Sequence, residues 1–346
     1  MNLPKDYFTE TLTKILAIDS PTGFTKNAIA EIRSCVQQLG YDSYLTNKGN
    51  LVVNIPGAGT KTVGISTHVD TLGLMVRGVG GDGNLSFTTV GGPILPTLDG
   101  EYCSIYTRCG KVYTGTILSN SPAVHVYKDA SELERNAQNM HIRLDEPVHS
   151  ADDTKNLGIL PGDFICYDPK TIITENGFIK SRFLDDKLSA AIVLSTLKHF
   201  KDSNITPAVN IKAIFSTYEE VGHGLSHLPD GVTELLAVDM GCIGADLSCT
   251  EYDVSICAKD SSGPYDYDLT GRLINLAKEA GLSYAVDIYP YYGSDASSAV
   301  RAGHDVVFGL IGPGVTASHG MERSHMTACE NTFKLLCLYL TEKGHA

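Results

Sequence analysis

Strands that alternate with helices leave a chain few architectures. From about residue 175 onward this sequence alternates in that way. A helix over 186–200 is followed by the strand VNIKAIFST and then the strand LLAVDM. A helix near 267–280, the strand SYAVDIY, a short helix near 295–302, the strand VVFGLIG and a final helix over 327–342 complete the series. The N-terminal part has the same texture. Phe8, Leu12, Ile15 and Leu16 recur at helical spacing over 5–18, and Ile29, Ile32, Val36 and Leu39 do so over 25–39. LVVNIP and TVGIST then read as strands, the second ending at His68. The pattern predicts an α/β sandwich with a largely parallel or mixed sheet.

That alternation is broken once. Between about 72 and 174, short β-rich runs (NLSFTTV, YCSIYT, VYTGTIL, DFICYD) are separated by glycine, proline and asparagine turns. Such a run is the signature of a small closed β domain. The charged stretch KDASELERNAQ within it reads as an exposed loop or short helix. A chain of 346 residues favours two domains at roughly 150 residues each. We therefore expect a discontinuous domain, 1–71 with 175–346, and a β-rich insert over 72–174 entered just after His68.

Hydrophobic residues make up 42% of the chain, enough for a sizeable core. Forty acidic residues against 27 basic ones give a net charge of -13, which repels nucleic acid and anionic lipid. The start, MNLPKDYFTETLTK, lacks a basic region followed by an apolar run, and no window is long enough for a membrane span. Nine cysteines without a CxxC pair argue against a disulfide framework and a thiolate zinc site. These features read as a cytoplasmic protein that binds neither nucleic acid nor membrane.

Five polar places lie at the ends of the expected strands or the start of a helix, where open α/β sheets bind ligands. STHVDTLG puts His68 and Asp70 two residues apart, on one side of an extended segment. A ligating histidine commonly hands its second ring nitrogen to a carboxylate, the role expected of Asp70. SRFLDDKLSA sets Asp185 and Asp186 before a helix, which alone would be an ordinary cap. FSTYEEVGHG places Glu219 and Glu220 at the mouth of a strongly apolar strand, a costly arrangement unless cations compensate. Asp239 ends the strand in LLAVDMGC, and TASHGMERSH carries His319 and His325 before the last helix. Together these residues supply imidazole and carboxylate donors without thiolate, a set suited to zinc, cobalt or manganese. Three carboxylates and a hydroxide balance two divalent cations. Two such ions about 3.5–4 Å apart polarise a carbonyl and activate a bridging water. A carboxylate left outside their coordination serves as general base.

The order HVD, LDDK, YEEVG, VD and SHG resembles the dinuclear metallo-aminopeptidases of the glutamyl, deblocking and tetrahedral-particle type. The resemblance spans nearly the whole chain and includes TVGGPIL at 89–95 and LGILPGD at 157–163. It implies a three-layer α/β/α catalytic domain with a mixed sheet, like the zinc exopeptidases, and an inserted β-barrel-like dimerisation domain. It also implies removal of N-terminal residues from peptides by a water that two metal ions activate. By the same resemblance, His68 and Asp239 ligate one metal, with Asp70 behind His68. Glu220 and His319 ligate the other, Asp185 bridges, and Glu219 is the general base. His325 is an alternative ligand, and Asp295, in YYGSDASSA, is a substrate contact or a helix cap. A homo-oligomer follows too, often a twelve-subunit shell built from dimers. The sequence departs from the family pattern at Lys187, Leu188 and Ser189 after the DD pair, at HGLSH after EEVG, and at HGMERSH. These departures leave the preferred first residue open.

Other readings are poorer. A glycosidase uses paired carboxylates but has no use for His68, Asp239 and His319. A serine hydrolase lacks its G-x-S-x-G elbow. A metal-binding relative without activity would not need an intact Glu219.

Overall fold

The computed structural model of the protein, which describes residues 1–342, forms its first helices where apolar residues recur at helical spacing. Helix α1 (Lys5–Leu16) buries Phe8, Leu12, Ile15 and Leu16, and α2 (Lys26–Gln38) buries Ile29, Ile32 and Val36. Strands β1 (Asp42–Leu45), β2 (Leu51–Ile55) and β3 (Thr62–His68) follow. The chain divides into two units, Met1–Asp70 with Lys170–Ala346, and Thr71–Pro169.

Within Thr71–Pro169, six strands close into a barrel: β4 (Gly73–Val79), β5 (Leu85–Val90), β6 (Tyr102–Tyr106), β7 (Val112–Ser119), β8 (Met140–Leu144) and β9 (Phe164–Tyr167). Their order is β4-β5-β8-β7-β6-β9. Alternate residues (Leu74 and Val76, Leu85 and Phe87, Cys103 and Ile105, Ile142 and Leu144) are buried, as closure requires. One short helix, α3 (Ala151–Asn156), is capped by Ser150. The charged stretch 128–138 forms turns without a helix.

The larger unit resumes with β10 (Ile172–Ile173), β11 (Phe178–Ser181), α4 (Leu184–Asp202), β12 (Asn210–Ser216), β13 (Val232–Val238) and β14 (Gly241–Cys242). It continues through β15 (Val254–Asp260), β16 (Gly263–Pro264), α5 (Tyr267–Glu279), β17 (Tyr284–Ile288), α6 (Asp295–Arg301), β18 (Val307–Val315), β19 (Glu322–His325) and α7 (Met326–Thr341). It resumes at Lys170, earlier than the texture of the sequence suggests, because β10 and β11 pair with β19 in a small sheet of this unit. Strand β15 has no clear alternation in VSICAKD and is not evident from the sequence.

The main sheet runs β1-β2-β12-β3-β13-β18-β15-β16. Its four central strands, β12, β3, β13 and β18, are mutually parallel, and antiparallel neighbours flank them. The sheet is mixed. Helix α4 packs against α1, α7 and β3, and α5 against α7, β15 and β18. Helix α6 meets β3, β13 and β18, where Ala296 and Ala299 join Leu235, Ala237 and Leu310 in one buried cluster. No described helix is long and apolar enough to cross a membrane.

Parallel pairing aligns the carboxyl ends of the four central strands. Gly312 of β18 lies so close to the end of β13 that a Cβ there would sit 1.7 Å from the Asp239 carbonyl oxygen. That backbone cannot yield without moving Asp239. We expect Gly312→Ala to lower stability by about 2 kcal/mol, within the usual range for a core clash, measured by denaturant unfolding. Wild-type stability would show that the strand ends adjust freely.

Candidate metal centre

Register carries the functional side chains to one edge. His68 is the last residue of β3 and pairs with Ser216 at the end of β12. Three residues beyond Ser216, Glu219–Val221 form a single 3-10 turn closed by Gly222 at φ 79, a conformation glycine adopts at no steric cost. Asp239 follows β13, and its N–H donates to Ile311 of β18. Asp185 and Asp186 lie in the first turn of α4 with non-helical backbone angles. His319 lies in the turn between β18 and β19, at φ 66.

The donor atoms converge. His68 Nε2 is 3.0 Å from Asp185 Oδ1 and 3.7 Å from Glu219 Oε2. His319 Nε2 is 3.7 Å from Asp185 Oδ2 and 3.6 Å from Glu220 Oε2. Asp185 thus turns one oxygen to each histidine. Donor atoms of His68, Asp185 and Glu220 lie within 4.8 Å of one another, and so do those of His68, Glu219 and Asp239. His68 is 1% exposed and the Glu220 side chain 3%, whereas the His319 side chain is 38% exposed and faces solvent.

Behind these atoms lie three further buried acids that accept backbone N–H groups. Asp70 takes the N–H groups of Glu219 (3.2 Å) and Glu220 (3.3 Å), and the Thr22 hydroxyl donates to it at 2.6 Å. Asp186 takes the N–H of His68 (3.2 Å) and the Thr67 hydroxyl. Glu322 takes the N–H groups of Asp185 and His319, both at 3.1 Å. Asp70 therefore differs from its expected place. His68 Nδ1 donates to the Asp70 backbone carbonyl at 2.9 Å, while the carboxylate stands 3.6 Å away. Two main-chain donors and a hydroxyl already hold that carboxylate.

Without cations the cluster is electrostatically frustrated. Burial raises Glu219 and Glu220 well above the ordinary carboxylate range, and Asp239 and Asp185 respectively add to it. Burial and Asp185 push Asp239 up to about 7. Burial pulls His68 down, but its hydrogen bond to Asp185 and the surrounding carboxylates leave it well above its usual value. Burial opposes ionisation of Asp185 as well, yet His68 holds it below the usual range. Hard and borderline divalent cations would invert this logic, since a bound ion favours every ionised carboxylate around it. Buried imidazole and carboxylate donors, no thiolate and convergent spacing fit such ions.

Two sequence candidates lie elsewhere. His325 caps α7, with Nδ1 accepting from the Thr327 N–H, and stacks edge-on against Phe178. Asp295 is buried behind Gly224 and takes the Ser216 hydroxyl, while Ser294 caps α6. It does not line the cavity above the cluster. That cavity, of about 240 Å³, is walled by Met240, Tyr291, Tyr292, Ser297, Ser298 and Arg301. Glu322 and Thr22 were missed by sequence reasoning. Glu322 had a signal: an acid three residues after His319 in a segment that must return to the sheet.

A family model described as M42 glutamyl aminopeptidase matches residues 49–335. A Bacillus subtilis (strain 168) protein named "Putative aminopeptidase YhfE" is 47% identical over 333 residues, covering 96% of each chain. Among solved structures, a TET aminopeptidase from the marine sediment archaeon Thaumarchaeota archaeon SCGC AB-539-E09 superposes with TM-score 0.88 at 18% identity, covering 98% of this chain and 97% of that one. The Pyrococcus horikoshii TET1 peptidase, which can assemble into a tetrahedron or a large octahedral shell, gives 0.85 at 22% identity over 97% and 100%.

The raised acids set a sign for stability. From the ordinary carboxylate range up to about pH 7, the folded metal-free protein binds more protons at Asp239 than the unfolded chain does. Its stability therefore falls as pH rises through that window. His68, also raised, acts in the same direction as pH passes its unfolded value. Asp185, held low, loses its contribution only as pH falls below the ordinary range. We expect the melting temperature of chelator-treated protein to drop by several degrees from about pH 5 to about pH 8, and zinc or cobalt to restore it at the higher pH. A melting temperature insensitive to both would exclude a metal centre here.

Proposed function

The chain belongs to the M42 glutamyl aminopeptidase family, and we propose that it cleaves the first residue from peptides with two divalent cations held by the cluster at the carboxyl ends of β3, β12, β13 and β18. It is an aminopeptidase, a hydrolase of the exopeptidase class. The observation that carries the two-ion reading is Asp185, whose oxygens face His68 and His319 separately. In this reading His68 and Asp239 would hold one ion, Glu220 and His319 the other, and Asp185 would serve both. Zinc or cobalt suits the donor set best, and manganese is the third candidate.

When bound, the ions supply polarisation of the scissile carbonyl and acidification of the attacking water. Glu219 is the general base. Asp185, Glu220 and Asp239 with hydroxide already balance four positive charges, so Glu219 stays free to carry a proton. It accepts the proton from the attacking water and returns it to the leaving amine. Asp70 holds the Glu219 and Glu220 backbone, and so aims both side chains. The cavity admits an extended peptide end, not a folded surface. A glycoside hydrolase is not favoured, because it would leave both histidines without a role.

A homo-oligomer, a twelve-subunit shell built from dimers, is part of the proposal. The TET1 relative's described shells support it, and so do the exposed apolar residues Tyr102, Val112, Val124 and Val126 of the Thr71–Pro169 unit, which we assign to dimer contacts. We place the protein in the cytoplasm, working on short peptides.

Three outcomes are expected. Chelation abolishes cleavage of aminoacyl reporters, and zinc, cobalt or manganese restores it. Glu219→Gln keeps its metal content by elemental analysis and loses turnover by about 10²- to 10⁴-fold; normal turnover would refute the base. A size measurement gives a mass well above one chain, and a stable monomer would remove the shell.

A further inference from the structure

We propose that Lys48, in the turn between β1 and β2, is a positioning residue for the general base: it locks the loop that carries Glu219 and Glu220. The proposal rests on the aminopeptidase reading and adds to it a residue that neither lines the cavity nor ligates an ion.

Sheet register puts the two segments side by side. Strand β2 runs antiparallel to β12, with Leu51 opposite Phe215. The turn that precedes β2 therefore flanks the chain that leaves β12 at Ser216. Buried Asn50 makes the first connection. The Thr217 hydroxyl donates to Asn50 Oδ1 at 2.8 Å, and Asn50 Nδ2 donates to the Gly224 carbonyl at 3.0 Å. Asn50 thus reaches both limbs of the loop.

Lys48 closes the loop from the outer side. The limbs pinch together where the His223 N–H donates to the Tyr218 carbonyl at 3.1 Å, and the two rings stack with centroids 5.0 Å apart. Between these two residues lie Glu219, Glu220, Val221 and Gly222. The Lys48 ammonium has three donors and no acceptor. It meets three acceptors: His223 Nδ1 at 3.0 Å, Ser226 Oγ at 3.1 Å and the His223 carbonyl. It also lies 5.2 Å from the centre of the Tyr218 ring, within cation–π reach. One cation so holds both sides of the pinch. Because lysine only donates, His223 Nδ1 accepts, and that ring is neutral with its proton on Nε2.

This contact completes what Asp70 begins. Asp70 takes the N–H groups of Glu219 and Glu220 on the inner side. A turn gripped on one side can pivot about that grip, and a second grip removes the pivot. His223 and Ser226 both belong to HGLSH, where the sequence departs from the family pattern. The departure supplies the acceptors that Lys48 uses.

Lys48→Ala, Lys48→Arg, His223→Ala and the double alanine variant are to be compared with the wild type on leucyl and glutamyl p-nitroanilides, under saturating zinc or cobalt. We expect each single alanine variant to lose about tenfold in kcat, with KM held within about twofold. The double variant should lose little more than either, as residues acting through one contact do. Arginine also donates and stacks on rings, so Lys48→Arg should regain most of kcat. Exchange of the amide hydrogens of 217–226, read by mass spectrometry without substrate, should quicken about tenfold in Lys48→Ala and stay near wild type in Lys48→Arg. Should Lys48→Ala fail to fold, His223→Ala and Lys48→Arg carry the same comparison. An unchanged kcat, a loss carried by KM, or losses that multiply in the double variant would overturn the positioning role and leave the aminopeptidase intact. So would faster exchange with an unchanged kcat. A wild-type protein inactive on both reporters would overturn the aminopeptidase reading, and this role with it.

Discussion

The constraint on which this structure depends is repulsion among buried carboxylates. Asp70, Asp185, Asp186, Asp239, Asp295 and Glu322 are each less than a tenth exposed, and Glu219 and Glu220 join them at the same sheet edge. One like-charged pair ~4 Å apart costs about 4 kcal/mol at an effective dielectric of about 20. A protein's whole stability is about 5–15 kcal/mol. Such a cluster persists only if protons or cations neutralise it. Protons would leave neutral acids that ligate poorly, and the raised Glu219, Glu220 and Asp239 are what that state looks like. Cations leave the same atoms ionised and useful. The surrounding fold therefore serves two demands at once: to gather the charges, and to keep them from moving apart.

How they are kept is a repeated device. Three acids that stand behind the cluster each grip the main chain of the residues in front. Asp186 grips His68, Glu322 grips Asp185 and His319, and Asp70 grips Glu219 and Glu220. Asp239 is held by the sheet itself, through its N–H to Ile311 and the close approach of Gly312. Gripping the main chain holds the residues in front without using their side chains. The main-chain bonds also link the two histidines through α4, because the helix start that carries Asp185 is tied to β3 by Asp186 and to the β18–β19 turn by Glu322.

Much of this was legible, and for a physical reason. Glu219, Glu220 and Asp239 follow strands so apolar that their own polarity stands out, and parallel pairing sends all such strand ends to one edge. The barrel was legible from its turns. What escaped depends on contacts between distant segments. Thr22 meets Asp70 across 48 residues and Glu322 meets Asp185 across 137, and no local pattern encodes either. Asp70 was recognised as a partner of His68, but which of its oxygens serves the ring depends on the Glu219 turn. His319 and His325 are alike in composition. They separate only because β19 pairs with β11 and carries His325 away to cap α7.

The same device explains why departures from the family's motifs leave the centre intact. Lys187, one of those departures, is buried and donates to the Ile18 carbonyl at 2.6 Å. It pins α4 to the segment after α1, behind Asp186, and it needs only a long cation with a donor at its tip. Leu188 is core and is fully buried. In HGMERSH the acid falls three residues after His319, and the turn at φ 66 brings it back beneath the histidine, so that Glu322 reaches the His319 N–H. What must be preserved is a carboxylate aimed at main chain from behind. The residues in front are restricted by coordination chemistry and those behind by backbone geometry.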